Sequence, residues 1–356
     1  AGRENGAMPA TVIDCTDLDA EVAFFTDEVG FRMHLVTPAD APRCVVIERD
    51  GRQLELRRSA ANVPVRLRID DVTAPGELCS PGGTVVEMAI RSTDLELPES
   101  VPTLTVVGDA GDGFGVGRAG MEYRDLLPDR WGGRFIASHI RIEEGGDVAD
   151  WVHFHRIRFQ MIFVAAGWVD VVYEDQGDPF RMHAGDCVLQ PPEIRHRVLR
   201  SSPGLEVIEV GCPATHDTLA DHDLTLPTAT SSPDRRFGGQ RFVRHVAADA
   251  TLRPWVDTSF VLRDTGIGVA TDGLAGAIVV SPAAPPSAIE LTHDGEFLLM
   301  VGLAGHGVIE VGGREISLGP RTSVALPPES TWTWSAHDTD HEALVVSLPA
   351  DAVRAN

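Results

Sequence analysis

The sequence predicts a mainly β protein: two antiparallel barrels of the jelly-roll kind, preceded by a small α+β module with element order βαβββ. Three observations lead there. Short strands separated by Gly, Pro and Asp turns fill residues 129–213 with no helix-period stretch among them. The same texture returns over 241–352, after a polar, turn-rich linker at 214–240. A clear helix signature stands in the opening segment, residues 8–62.

In that segment TVIDCTD reads as a strand, and Asp17 as the N-cap of a helix over Leu18–Val29, whose apolar positions include Val22, Phe24 and Phe25. Gly30 ends it. FRMHLVTP, RCVVIERDG and RQLELRR follow as strands, with turns at PADAP and DG. Residues 63–128 read as a β-rich connecting segment carrying VPVRLRIDDV, TVVEMAIRS and TLTVVG. Its GDAGDGFGVG stretch is a loop and no dinucleotide fingerprint, because no strand-to-helix context surrounds it. Within 129–213 the strands are RFIASHIRI, WVHFH, QMIFVAAGWVDVVYE, DCVLQ, HRVLR and LEVIEVG. Within 241–352 they are SFVLRD, AGAIVVS, FLLMVGLA, HGVIEVGG, TSVALP and HEALVVSLP.

Composition narrows the chemistry. The net charge of -23 repels nucleic-acid phosphates and anionic membranes, so neither is an expected partner. All 30 basic residues are Arg; with no Lys there is no Schiff-base lysine and no P-loop lysine. The five Cys are scattered without a CxxC pair, which argues against a disulfide framework or zinc ribbon and for a reducing, cytoplasmic setting. AGRENGAMPATV has no apolar stretch of a secretory signal, and no run reaches the roughly 18 apolar residues of a membrane span.

The informative stretch is GGDVADWVHFHRIRFQMIFVAAG. His153 and His155, one residue apart on a strand, present their imidazoles on the same face. Gln160 lies at the start of the next strand, and GDCVLQPPEIRH delivers His196 at the start of another. Three imidazoles and an amide oxygen make a site for a divalent transition metal. Such a ligand set is neutral and leaves the metal's charge uncompensated, which favours an anionic substrate. Arg158 is a candidate to bind a substrate carboxylate, Tyr173 to give a hydrogen bond or proton, and His139 to line the barrel, each against a purely structural alternative. Glu206 or Glu209, on LEVIEVG, is a candidate acceptor behind a ligand imidazole.

At this point the sequence resembles the cupin superfamily. One motif is Gly146, His153, His155, Gln160 and Gly167; the other is Gly185, Pro191 and His196. The resemblance implies a jelly-roll barrel holding one metal per chain, iron first, with zinc, nickel, manganese or copper as alternatives. Gln160 stands where the family usually has Glu, and PPEIRH lacks the usual Gly after Pro. Aligning Gly305 with Gly167 places His293 on His155, Leu291 on His153 and Leu298 on Gln160, while PPESTW places Trp332 on His196. The second barrel therefore reads as metal-free. DLDAEVAFFTDEVGFRM resembles one module of the vicinal-oxygen-chelate (glyoxalase-like) family, with Ala10 at one ligand position and Glu55 alone at the other.

Three functions follow as expectations. The first is a cupin dioxygenase acting on a small, anionic organic substrate. The second is a non-redox isomerase, cyclase or lyase. The third is a non-catalytic small-ligand binder. Pairing into a homodimer is compatible with both resemblances.

Overall fold

The computed structural model describes residues 11–49, 52–69, 76–88, 95–109, 113–117 and 120–356. Ala10, the Asp50–Gly51 turn and parts of the strands and loop expected in 63–128 lie outside these residues. The chain divides into two compact units, Ala1–Asp94 and Leu95–Asn356.

In the first unit the expected βαβββ order is present. Strand Thr11–Cys15 leads into helix Leu18–Ala23, which runs on as a π-turn over Phe24–Glu28; strands Arg32–Thr37, Cys44–Arg49 and Arg52–Arg58 follow. The Asp17 carboxylate accepts from the Ala20 N–H at 3.1 Å, which caps the helix. Gly30 takes φ +84°, the left-handed turn that ends it. Strand Thr11–Cys15 runs parallel to Arg52–Arg58 in a four-stranded sheet. Strands Arg66–Ile69, Gly76–Cys79 and Val85–Met88 form a second sheet, and Leu67, Ile69 and Val86 share a core with Phe25, Ile47 and Leu56. The segment expected to connect the modules is therefore split: its first part packs with the opening module. Glu21 is fully buried on the helix, where Ser80 Oγ donates to it at 2.5 Å and the Gly82 N–H at 2.9 Å.

The second unit holds two barrels, each of two antiparallel sheets. The first barrel joins a seven-stranded sheet, containing Ile136–Ile142, Phe159–Ala166, Cys187–Leu189 and Leu205–Cys212, to a sheet containing His153–His155, Trp168–Tyr173 and His196–Ser201. The second barrel repeats this with Phe297–Ala304 and Glu342–Leu348 in its seven-stranded sheet and Ser287–His293 and Thr331–Ala336 in the other.

Apolar alternation explains why the barrels pack. Along Phe159–Ala166, Phe159, Met161 and Phe163 join the core between the barrels, whereas Gln160 and Ile162 line the first lumen. Along Phe297–Ala304, Phe297, Leu299 and Val301 join that shared core, whereas Leu298 and Met300 fill the second lumen. Both faces are buried, so these strands read as nearly continuous hydrophobic runs. The Phe135 and Phe297 rings stack at 4.2 Å across the interface.

The ends of the barrels fall elsewhere than the linker reading placed them. Thr218–Ala220, within the expected linker, pairs with His153–His155. Val243–His245, assigned to the second barrel, pairs with Cys187–Leu189 of the first. Thr105–Val107, assigned to the connecting segment, pairs with Ser323–Ala325 of the second. These strands are short and polar-flanked, so pairing partners and not composition decide where they belong.

The internal repeat is visible in the backbone. The Glu193 N–H donates to the His155 carbonyl at 3.0 Å, and the Glu329 N–H to the His293 carbonyl at 2.9 Å. His153 pairs with His196 as Leu291 pairs with Trp332. Glu193 and Glu329 both take left-handed backbone, φ +63° and +65°. Both turns thus take the left-handed conformation that favours Gly, although each barrel places Glu there.

Candidate metal centre

Strand His153–His155 turns its first and last residues inward, and both imidazoles are buried. His196 opens the neighbouring strand and is paired directly with His153. One ring nitrogen from each of His153, His155 and His196 lies within 4.8 Å of the others. Among the described residues this is the one group of three or more His, Cys, Asp or Glu close enough to share an ion.

The outward nitrogens are held. His153 Nδ1 lies 2.8 Å from the Trp151 carbonyl and His196 Nδ1 lies 3.0 Å from the Ile194 carbonyl. A carbonyl only accepts, so both Nδ1 atoms carry a proton, and Nε2 is the atom that each of these rings has to offer an ion. His155 Nδ1 meets Thr218 Oγ at 3.0 Å. The buried Asp150 carboxylate stands 3.6 Å from His153 Nδ1 and accepts from the Val198 N–H at 2.9 Å. Hydrogen-bonded outward nitrogens orient imidazoles for a metal.

Gln160 is buried beside the triad, and its amide Nε2 donates to Glu209 Oε1 at 2.5 Å. Glu209 is thus the acceptor expected on LEVIEVG, acting behind Gln160 and not behind an imidazole. With the amide nitrogen spent on Glu209, the carbonyl end of Gln160 is the donor available to an ion. The residues fit a divalent transition metal: three buried imidazoles, one ring nitrogen of each within 4.8 Å of the others, plus an amide oxygen.

The triad stands at one end of a cavity of about 260 Å³. Tyr173, Gln190 and His216 share that end, and the remaining walls are mostly Ile, Val, Met and Leu, with Tyr123 and Glu209 among them. Tyr173 stacks 5.5 Å from His196, and its hydroxyl oxygen accepts from Gln190 Nε2 at 2.8 Å. Burial raises its pKa far above the ordinary phenol value, so the hydroxyl keeps its proton. His216, whose ring lies 5.2 Å from His155, is held by the Pro213 carbonyl at 3.1 Å from Nδ1.

Two expected site residues are elsewhere. Arg158 follows the end of strand His153–His155, and its backbone N–H donates to the Cys212 carbonyl. Its guanidinium reaches Glu296 of the second barrel at 2.9 Å, a carboxylate that Arg134 also binds. Burial pushes the Glu296 pKa up, but hydrogen bonds from both arginines outweigh this and hold it below its usual range. Arg158 is therefore an inter-barrel clamp. His139 faces the other way from the lumen, because Ile136, Ile140 and Ile142 take the inward positions of its strand. Its Nε2 lies 3.0 Å from Glu206, which also pairs with Arg321 of the second barrel. These hydrogen bonds, that of His139 foremost, lower the Glu206 pKa to about 2.

The sequence reasoning missed Asp150, Gln190, His216 and Thr218. Asp150 stands three residues before His153, a spacing that could have drawn attention. His216 and Thr218 lie in the segment read as a linker, and Gln190 ends the strand DCVLQ, where nothing marked it as facing the site. In the second barrel Val353 occupies the pairing position of Thr218, and among the described residues His293 Nδ1 has no hydrogen-bond partner while its Nε2 meets the Pro327 carbonyl at 2.8 Å. Burial lowers the His293 pKa and keeps the ring neutral. Leu291, Leu298 and Trp332 pack this lumen, as expected.

No protein-family model matches the chain, and no curated protein matches it in sequence. Solved structures do match in fold. Salicylate 1,2-dioxygenase from Pseudaminobacter salicylatoxidans is 14% identical with a TM-score of 0.53, over 75% of this chain and 92% of that one. A variant of oxalate decarboxylase from Bacillus subtilis is 11% identical with a TM-score of 0.52, over 75% and 82%. The protein Ylba from E. coli is 11% identical with a TM-score of 0.50, over 72% and 94%. The chain shares the mainly β, cupin jelly-roll fold of these proteins. Among the described residues no helix is long and apolar enough to cross a membrane.

Proposed function

We propose that this chain is a metal-dependent dioxygenase acting on a small organic molecule. The observation that carries the reading is the convergence of three buried imidazoles, each anchored at Nδ1, within 4.8 Å at the end of an apolar cavity. His153, His155, His196 and the Gln160 carbonyl would hold the ion. Bound there, iron would supply a redox-active Lewis acid with positions open to substrate and dioxygen.

The protein's own groups do the rest. Ile and Val walls exclude water and hold the substrate body. Tyr173, its oxygen engaged by Gln190, keeps a proton to donate to a substrate oxygen. Asp150 and Thr218 keep the imidazoles in place. Resemblance in fold to a salicylate dioxygenase supports the oxidative reading without deciding it.

A second reading, a non-redox isomerase, cyclase or lyase, is favoured by one feature. Glu209 lines the cavity and puts a carboxylate where it can take a proton from a substrate carbon. Oxygen-electrode assays on iron-loaded and zinc-loaded protein, with a panel of small cyclic acids and enols, separate the two. Oxygen uptake that needs iron supports the dioxygenase. Turnover with zinc and no oxygen uptake replaces it with the second reading.

A further inference from the structure

The charge around the cavity limits what it can hold, given the reading of this cavity as the active site. The chain has 30 arginines and no lysine, yet among the described residues no arginine lines the cavity. Strand alternation turns them away. Arg141, between inward-facing Ile140 and Ile142, pairs with Glu122 at 2.6 Å. Arg197, between inward-facing His196 and Val198, takes the opposite face. Arg158 and Arg134 are spent on Glu296.

The charged side chain that does line the cavity, among the described residues, is Glu209, beside Gln160. The polar groups near the triad, Thr218, Tyr173, Gln190 and His216, are uncharged hydrogen-bonding groups or a ring held by a carbonyl. Farther along, Ile140, Ile142, Leu205 and Val207 offer no hydrogen bond from their side chains, and the one hydroxyl among the described residues there, Tyr123, is uncharged and reaches Met121 Sδ at 3.6 Å.

An ionised group against such a wall would be stripped of water with no cation among the described residues to pair with, which is strongly unfavourable. Among the described residues no arginine reaches this wall, so positive charge would come from the ion at the triad end, and the Glu209 carboxylate stands beside Gln160 there. A cavity of about 260 Å³ is also smaller than the roughly 300–1,000 Å³ of drug-sized sites, so it suits one ring or a short branched chain.

We infer that the ligand of this cavity carries a single anionic, metal-chelating head on a neutral apolar body, and no second charged group. Dicarboxylates and ligands with a charged tail are excluded, whichever reaction the site performs. Val207, on the strand that also carries Glu209, is a specificity-determining position: an aliphatic wall there is what refuses a charged tail.

The test uses two probes that differ by one charge at the far end: benzohydroxamate, which chelates as its anion, and 4-carboxybenzohydroxamate. Metal content of the full chain is measured first, and binding of each probe to the loaded protein then follows by calorimetry. Benzohydroxamate should bind at least about 100-fold more tightly than its carboxylated counterpart. The Val207→Arg variant should narrow that ratio at least about tenfold by giving the carboxylate a partner; if it fails to fold, the wild-type ratio alone decides. Equal binding of the two probes, tighter binding of the carboxylated one, or binding of neither to loaded protein overturns the inference. A chain that retains no metal overturns the underlying metalloenzyme reading instead, so the two failures are told apart.

Discussion

Replacing Gln160 with Glu should damage this site, although Glu is the residue usual in the family it resembles. In the structure the Gln160 amide donates to Glu209 Oε1 at 2.5 Å. Gln160→Glu removes that hydrogen bond to a carboxylate, a loss of about 1.5–3 kcal/mol. It also sets two carboxylates against each other in a buried place. At this separation and an effective dielectric of about 20 the repulsion approaches about 6–7 kcal/mol. The pair escapes by moving apart or by sharing a proton, and taking up that proton at pH 7 costs about 4 kcal/mol from an ordinary Glu pKa. The expected destabilisation is therefore about 2–4 kcal/mol in urea unfolding of metal-free protein, together with weaker metal binding. Exchanging the two groups, Gln160→Glu with Glu209→Gln, restores one amide and one carboxylate and should recover most of the loss. The coupling energy of the double-mutant cycle should exceed about 1 kcal/mol. A Gln160→Glu protein as stable as wild type, or a cycle that is additive, would refute the pairing as the reason Gln occupies this position.

Other outcomes follow from the same geometry. Thr218→Val removes the partner of His155 Nδ1 while copying Val353 of the second barrel, so metal affinity should fall about 10–100-fold with little change in unfolding midpoint, read by competition with a chelator. Arg158→Ala should lower stability by about 1–3 kcal/mol through Glu296 and leave metal content and probe binding unchanged; a lost probe site would return Arg158 to the active site. Glu206 has its folded pKa lowered to about 2 from an ordinary 4.5, so its stabilisation is present above about pH 4.5 and fades as pH falls toward 2. Glu206→Gln should accordingly cost about 2–3 kcal/mol near neutrality, and the gap to wild type should close between pH 4.5 and 2 in acid unfolding curves.

Much of the fold was legible because its signals are local. The Asp17 cap, the Gly30 terminator and the HxH spacing each act within a few residues, and the structure places them as read. The repeat was legible too, since the matched positions of the two barrels keep the same backbone hydrogen bonds. What failed to show depends on which face a strand turns to its neighbours. His139 and Ile140 are adjacent in IASHIRI, and only the inward set of Ile136, Ile140 and Ile142 tells that His139 belongs to the inter-barrel side. Arg158 looked free because its partner, Glu296, lies 138 residues away. Thr218 sits in a polar stretch with the composition of a linker, and only its pairing with His155 makes it part of the site. The partner of Gln160 was hidden for the same reason: Glu209, which accepts from its amide, lies on another strand 49 residues away.

The most direct check is elemental analysis of the full chain purified without added metal, beside His153→Ala, with folding of both verified by circular dichroism. Wild type should carry about one transition-metal ion per chain and the variant close to none. Wild type that stays empty after exposure to iron and zinc, or a variant that keeps its ion, would contradict a metal centre built on these three imidazoles.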